Sequence, residues 1–387
     1  MITSIIAEYN IFHNGHKYQI DEVKKQSDAV VAVMSGSFVQ RGDVAITDKW
    51  SRAKTALISG ADLVLELPVC YALNAAPNFA TGGINTLNSL GVIDAVAFGS
   101  ESGSIDDLIR VAQLMENESS DVSDKIKAYM TDGMSYPSAL SKAYASTIKS
   151  DILYLPNNIL AIEYIRALIR SHSSMRPLTI QRNSAGHHDT DISGNIASAS
   201  KIREMIFSGE DISRLIPYSL SDIDGSIPYS LSNINSAVIA KLRTASAESL
   251  KNISEMAEGL ENRIIQAAME TDNIASLAEA VKSKRYTMSK IRRIILACLL
   301  DFTKDIYKPV PEYIRVLGLN KTGMEILKKA KKNCSVPIIT KAADFKENSP
   351  QFALDTRATD IAALCSPHPQ KRMGGMDFKT SPVILNI

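Results

Sequence analysis

The sequence predicts an α/β chain: a Rossmann-like parallel sheet in its first part, followed by a mainly α-helical second half. Three observations carry that expectation. Short β-branched runs alternate with stretches of helical spacing as far as Arg182. The polar, glycine-containing clusters of this part each follow one of those runs. After about Glu204 the periodicity becomes helical and strand-like runs grow scarce. Strands alternating with helices favour parallel pairing through right-handed crossovers, and ligands then sit at the carboxyl ends of the strands.

Ile2 to Ala7 reads as a buried strand that ends in polar residues and leads to a helix from about Lys17. Ala29 to Met34 is a second strand, closed by Ser35-Gly36-Ser37. Lys49 to Ser59 has helical spacing and stops at Gly60. Ala61 to Leu67, Asp94 to Phe98 and Pro177 to Arg182 are the third, fourth and fifth strands. The segment IPYSLS occurs at Ile216 to Ser221 and again at Ile227 to Ser232, a local duplication suited to a surface loop. These shifts divide the chain near residue 205, into an expected ligand-binding domain over 1–205 and a mainly helical region over 206–387.

Composition sets outer limits. At 387 residues, 45% hydrophobic and 22% charged, the chain suits a globular protein of two or three domains. A net charge of +1 means that any basic surface must be local. The cysteines, Cys70, Cys298, Cys334 and Cys365, form no CxxC pair, so neither a zinc site nor a disulfide framework is expected. The start, MITSIIAEYN, lacks the basic n-region of a signal peptide. No apolar run reaches the roughly 18 residues of a membrane span. A cytoplasmic location is the expectation.

His13-Asn14-Gly15-His16 is the sharpest chemical signal. It pairs imidazoles three residues apart, directly after the first strand. Gly15 lets a phosphate approach the backbone, and the helix that follows points its N–H groups at the anion. His13 and His16 are the candidate catalytic residues: an HxGH pair can donate to phosphates and stabilise charge developing at the α-phosphorus. This pattern indicates a nucleotidylyltransferase-type ATP site. Ser198-Ala199-Ser200-Lys201-Ile202-Arg203 is a serine-rich helix start that could hold another part of a triphosphate. Arg41, within MSGSFVQRGD, is a natural anion contact; Lys49 and Arg52 lie on the next helix and could reach the same pocket. Arg182 ends a strand just before AGHHD, where a two-pronged guanidinium suits a phosphate or carboxylate. His187 and His188 have no companion ligands at metal spacing, so no protein-bound metal is expected.

Two basic clusters mark the second half. Lys282, Lys284, Arg285, Lys290, Arg292 and Arg293 fall in a stretch without an acid; Lys328, Lys329, Lys331 and Lys332 form the other. Either could neutralise nucleic-acid phosphates. Lys284, Arg285, Arg292 and Arg293 are the candidate RNA contacts.

Taken together, AEYNIFHNGH (7–16), VMSGSFVQRGDVAITDKWSRAKTAL (33–57), GADLVLELP (60–68), FGSE (98–101), PNNILAIEY (156–164) and IQRNSAGHHD (180–189) resemble the bacterial tRNA(Met) cytidine acetate ligase family; DIAALCSPHPQKRMGGMDF (360–378) resembles its C-terminal segment more loosely. That family is similar to the HxGH nucleotidylyltransferases. The resemblance implies acetate activation by ATP as acetyl-adenylate, then acetyl transfer to N4 of the wobble cytidine of elongator methionine tRNA. It implies ATP contacts from Ala7, Glu8, Tyr9, Asn10, Ile11, Phe12, His13, Asn14, Gly15, His16, Lys17, Tyr18, Gln19 and Ile20, and from Gly99, Asn157 and Arg182, with Asn158 an alternative to Asn157. Mg2+ is expected to accompany ATP, acetate and tRNA to be the partners, and no protein partner is implied. The chain departs from the family pattern at Ile11, where proline is usual, at His187, where an aromatic is common, and at Lys201, where a small residue is usual. Other readings stay open on residues alone: a small-molecule adenylyltransferase of coenzyme biosynthesis, or a non-catalytic RNA-binding protein with an ATP site.

Overall fold

The structure, a computed structural model, describes residues 1–144, 151–182, 192, 194–223 and 228–386. Its strands are β1 (Ile2–Ala7), β2 (Ala29–Ser35), β3 (Phe38–Val39), β4 (Asp43–Val44), β5 (Leu63–Leu67), β6 (Ala95–Ser100), β7 (Arg176–Gln181), β8 (Ile314–Leu319), β9 (Ile338–Ile339) and β10 (Val383–Ile384). The main sheet runs β10-β8-β5-β2-β1-β6-β7, with β9 also paired to β8; β3 and β4 form a separate small hairpin. The five strands expected from the sequence are all present and mutually parallel.

Alternation along each strand divides the core in two. Ile5, Val30, Ala32 and Ala97 face one layer, which also holds Tyr9, Phe12 and Ile20. Ile6, Val31, Val33, Val96 and Phe98 face the other. Both faces are covered, so β2 is buried along its whole length and reads as an unbroken apolar run. From β1 the order proceeds to β2 and β5 on one side and to β6 and β7 on the other. The β1/β6 junction is therefore a topological switch point, the place where open α/β sheets bind ligands beyond the carboxyl ends of their strands. HNGH follows β1, and Gly99–Glu101 ends and follows β6.

The second half departs from expectation. It contains the expected helices, among them Asn235–Thr244, Leu260–Glu270, Ile274–Val281 and Met288–Leu299. It also returns to complete the sheet. β8 pairs antiparallel with β5, and β9 and β10 pair with β8, so the sheet is mixed and a cut at residue 205 runs through it. Ile314–Leu319 is apolar enough to be buried on both faces, but only its long-range pairing distinguishes it from a core helix turn.

A buried ionic cluster fastens this return. Lys49 Nζ lies 2.7 Å from Glu66 and 2.8 Å from Asp377, and Arg315 lies 2.7 Å from Asp377. Two cations face two anions. The neighbouring Asp355 carboxyl is raised above the usual range by burial and by Glu66. Lys49 therefore does not reach an anion site as the sequence suggested: it is 1% exposed and paired. Arg52, also 1% exposed, donates to the carbonyls of Glu8 (2.8 Å), Ser35 (2.9 Å) and Thr47 (3.3 Å), and so pins the loops after β1 and β2. Among the described residues no helix is long and apolar enough to cross a membrane.

Candidate active site

The helix after β1 spans Asn14–Lys24, starting earlier than the spacing suggested because His13 caps it. His13 Nδ1 accepts from the Gly15 N–H at 3.0 Å, and His16 Nδ1 accepts from the His13 N–H at 3.3 Å. This is a capping box built from histidines, and the rings stack at 3.8 Å between centroids. Gly15 is required by close approach: a Cβ there would lie 2.9 Å from His13 Cε1. Burial first, then Arg182 and Arg203, push the His13 pKa down to about 3. Burial, His13 and Arg182 hold His16 well below its ordinary value. Both rings are thus neutral near pH 7. With each Nδ1 accepting, each proton resides on Nε2, which makes two neutral N–H donors at a helix N-terminus.

The side chains around HNGH divide by role. Tyr9 and Phe12 are buried and pack against His16 at 5.0 and 5.4 Å, while Ile11 and Ile20 are also buried. Tyr9, Ile11 and Phe12 thus pack the loop and Ile20 packs the helix, with their side chains in the core. The Asn10–Ile11 peptide is cis. Asn10 Oδ1 accepts from the Ile46 N–H at 2.7 Å. Asn14 Nδ2 donates to the carbonyls of Asn195 (2.8 Å) and Arg214 (2.9 Å), which ties the helix start to the second half. Glu8 accepts from the Gln40 N–H at 2.8 Å, and its carboxyl is raised chiefly by burial. Lys17 pairs with Asp21 along the helix, and Ala7, Tyr18 and Gln19 are half-buried.

Gly99, Asn157 and Arg182 converge across β6 and β7. Gly99 pairs with Ile180, and a Cβ on it would stand 3.3 Å from Arg182 Cγ. Arg182 Nη1 donates to Asn157 Oδ1 at 2.8 Å. Asn158, the alternative weighed from sequence, turns away: it is fully buried, and its Oδ1 accepts the N–H groups of Glu101 and Ser102. Arg203, in the helix Ala199–Ser208, donates to the Asn10 carbonyl at 2.5 Å and to Ser200 Oγ at 3.3 Å. Arg41 reaches the same Ser200 Oγ at 3.4 Å. Arg182 and Arg203 thus stand close to the histidine pair, and Arg41 joins Arg203 at Ser200. Arg203 was legible only as part of a serine-rich helix start, and Glu101 had no expected role. His187 and His188 lie outside the described residues. Among the described residues no group of three His, Cys, Asp or Glu could hold a metal.

The basic clusters separate spatially. The helix Met288–Leu299 packs on the loop after β2: a Cβ on Gly42 would lie 2.6 Å from Arg292 Cβ. Lys284, Arg285 and Arg292 are exposed, Arg292 beside Gly42 and the other two just ahead of the start of that helix. Arg293 is a correction to the expected RNA contacts. It is 7% exposed, pairs with Glu255 at 2.5 and 2.8 Å, and donates to the Gln40 carbonyl at 3.1 Å. It tethers the second half to the site loop. Lys328 to Lys332 lie at the opposite end of the sheet, where Lys329 is near Met1 and Asp28, and Asn333 is near Gly91 ahead of β6.

Comparison with known proteins identifies the relatives of the whole chain. The HIGH Nucleotidyl Transferase family matches residues 1–377. The tRNA(Met) cytidine acetate ligase of Thermoanaerobacter sp. (strain X514) is 41% identical over 97% of this chain and 98% of its own. That of Acetivibrio thermocellus is 37% identical over 99% of this chain and 100% of its own. The crystal structure of Thermotoga maritima TmcAL bound with alpha-thio ATP superposes with a TM-score of 0.90 at 30% identity, over 100% of both chains. The family match over residues 1–377 and the relatives aligned over nearly the full length show that this chain, with its paired-imidazole helix cap at the switch point, belongs to the HIGH nucleotidyl transferase family, alongside the tRNA(Met) cytidine acetate ligases.

Proposed function

We propose that this chain is an ATP-dependent tRNA(Met) cytidine acetate ligase. In the first step an acetate oxygen attacks the α-phosphorus of ATP, pyrophosphate leaves and acetyl-adenylate forms. In the second, N4 of the wobble cytidine of elongator tRNA(Met) attacks the acetyl carbon, AMP leaves and the amine gives up a proton. The observation that carries the reading is the capping box of His13 and His16. It leaves two neutral Nε2–H donors beside a helix N-terminus, with Arg182 and Arg203 close enough to depress both or one of their pKa values. Such fixed donors stabilise charge on the phosphates without reorganising during reaction. Mg2+ would enter as part of the MgATP substrate, held by phosphates and water. Holding carboxylate and α-phosphate in line contributes through positioning.

The placement of the basic clusters supports an RNA path over Lys284, Arg285 and Arg292, because the acceptor cytidine must reach the end of the sheet that holds HNGH. A cytoplasmic location belongs to the same proposal, following from a tRNA substrate. The test is to incubate the protein with labelled acetate, ATP and total bacterial tRNA, digest the RNA and identify the modified nucleoside. Label in N4-acetylcytidine from methionine tRNA is the expected result. Acetate-independent pyrophosphate release, or a stable adenylylated small molecule without RNA, would overturn it.

A further inference from the structure

Glu101 stands just beyond β6, at the N-terminus of the helix Pro156–Arg170. One carboxylate oxygen accepts from the Asn157 N–H at 3.1 Å and from Asn157 Nδ2 at 2.6 Å. The other accepts from the Asn158 N–H at 2.8 Å. Asn158 answers through Oδ1, which accepts the N–H groups of Glu101 at 3.0 Å and Ser102 at 3.2 Å. The loop after β6 and the helix start therefore clasp each other in both directions. A carboxylate at a helix N-terminus is also favoured by the helix dipole.

The clasp extends to the site. An ionised carboxylate only accepts and a guanidinium only donates, so the Asn157 amide between them has one consistent orientation. Nδ2 faces Glu101, and Oδ1 receives Arg182 Nη1 at 2.8 Å. We infer that Glu101 is a positioning residue for nucleotide binding, acting through Asn157 to aim the Arg182 guanidinium at the phosphates; this rests on the nucleotide reading given above. The interposed amide has a chemical purpose. A carboxylate bonded directly to Arg182 would neutralise it and repel an anionic ligand. Asn157 passes on the orientation but not the charge, and the other guanidinium donors have no partner among the described residues.

Glu101→Gln reverses the polarity of this relay. If the new carboxamide oxygen faces Asn158, its NH2 group faces Asn157. The Asn157 amide must then turn its oxygen toward residue 101, which presents two donors to each other at Arg182. If the oxygen faces Asn157 instead, the NH2 group opposes the Asn158 N–H and the helix cap is lost. Either arrangement loses a charge-assisted bond.

The experiment is a double-mutant cycle on ATP affinity, with no acetate or RNA present, using Glu101→Gln and Arg182→Ala singly and together. Glu101→Gln alone is expected to weaken ATP binding about tenfold, the effect of one lost charge-assisted hydrogen bond. In the Arg182→Ala background it should add less than about twofold, because the residue it aims is gone. A cap that only stabilises the helix would produce the same loss in both backgrounds, and that additive result, or undiminished binding by Glu101→Gln, would overturn the relay. If Glu101→Gln does not fold, Glu101→Asp takes its place in the cycle. It keeps the carboxylate and leaves Asn157 intact but withdraws the acceptor from Asn157 Nδ2 by one methylene, so the same pattern of losses decides. A wild-type chain that bound no ATP would overturn the nucleotide reading itself. ATP binding with an additive cycle would overturn the relay alone.

Discussion

His13 and His16 cap one another's turn: each Nδ1 accepts a backbone N–H, at 3.0 and 3.3 Å, and the rings stack at 3.8 Å. The spacing of HNGH therefore does more than place two imidazoles near a phosphate. It fixes their tautomers through the backbone that they terminate.

Replacing either histidine with alanine should lower acetate-dependent pyrophosphate release by about 100-fold or more, the usual loss for a preorganised donor. His13→Ala should also cost about 1 kcal/mol of stability, since it removes an N-cap. Turnover and thermal unfolding measured side by side would separate these effects. Wild-type turnover in both variants would refute the assignment.

Stability should fall on acidification from near pH 6.5. His13 is held to about 3 in the folded chain, below its unfolded value near 6.5. Between those limits the unfolded chain binds a proton that the folded chain does not. Unfolding free energy must then drop as pH falls, by at most about 1.4 kcal/mol per pH unit for this residue, and it is fully retained above about pH 6.5. His13→Asn, which can still cap, should flatten that slope in denaturant titrations at pH 6, 5 and 4. An unchanged slope would mean that His13 titrates normally.

Arg182→Lys should bind ATP almost as poorly as Arg182→Ala. Its Nη1 is engaged by Asn157 at 2.8 Å, and an ammonium has no second prong in the plane. Calorimetric titration of the three proteins decides this, and native affinity in the lysine variant would make Arg182 peripheral.

Changing Lys284, Arg285 and Arg292 together to alanine should weaken tRNA binding. It should also flatten the plot of log affinity against log salt by up to three contacts, each about 0.7 to 0.9 in slope. ATP affinity should be retained. Arg293→Ala should behave differently, because it removes both bonds to half-buried Glu255 and releases the Gln40 carbonyl. A loss of about 1 to 3 kcal/mol in stability is expected there, with no comparable change in salt dependence. If the triple variant kept the native salt slope, the RNA path would have to lie elsewhere.

Much of this was legible in the sequence because it is local. β2, β5 and β6 announce themselves as short apolar runs closed by Ser, Pro or Gly, since a parallel strand buried on both faces needs such a run, while β1 and the half-exposed edge strand β7 are marked by β-branched residues that lead into polar loops. HNGH declares a phosphate-facing helix start through its own spacing. Other features were settled only by tertiary structure. β8 joins β5 from some 250 positions away in the chain, as shown by the pairing of Leu63 with Leu319. Lys49, Arg52 and Arg293 look like surface cations in one dimension, yet each is buried against partners supplied by distant segments. Glu101 has no motif of its own, and its link to Arg182 through Asn157 exists only because β6, β7 and the Pro156–Arg170 helix end at one place. Periodicity and caps depend on neighbours within a turn or two and can be read along the chain. Charge pairing and the fate of a polar side chain depend on what long-range packing brings alongside, which no local pattern encodes.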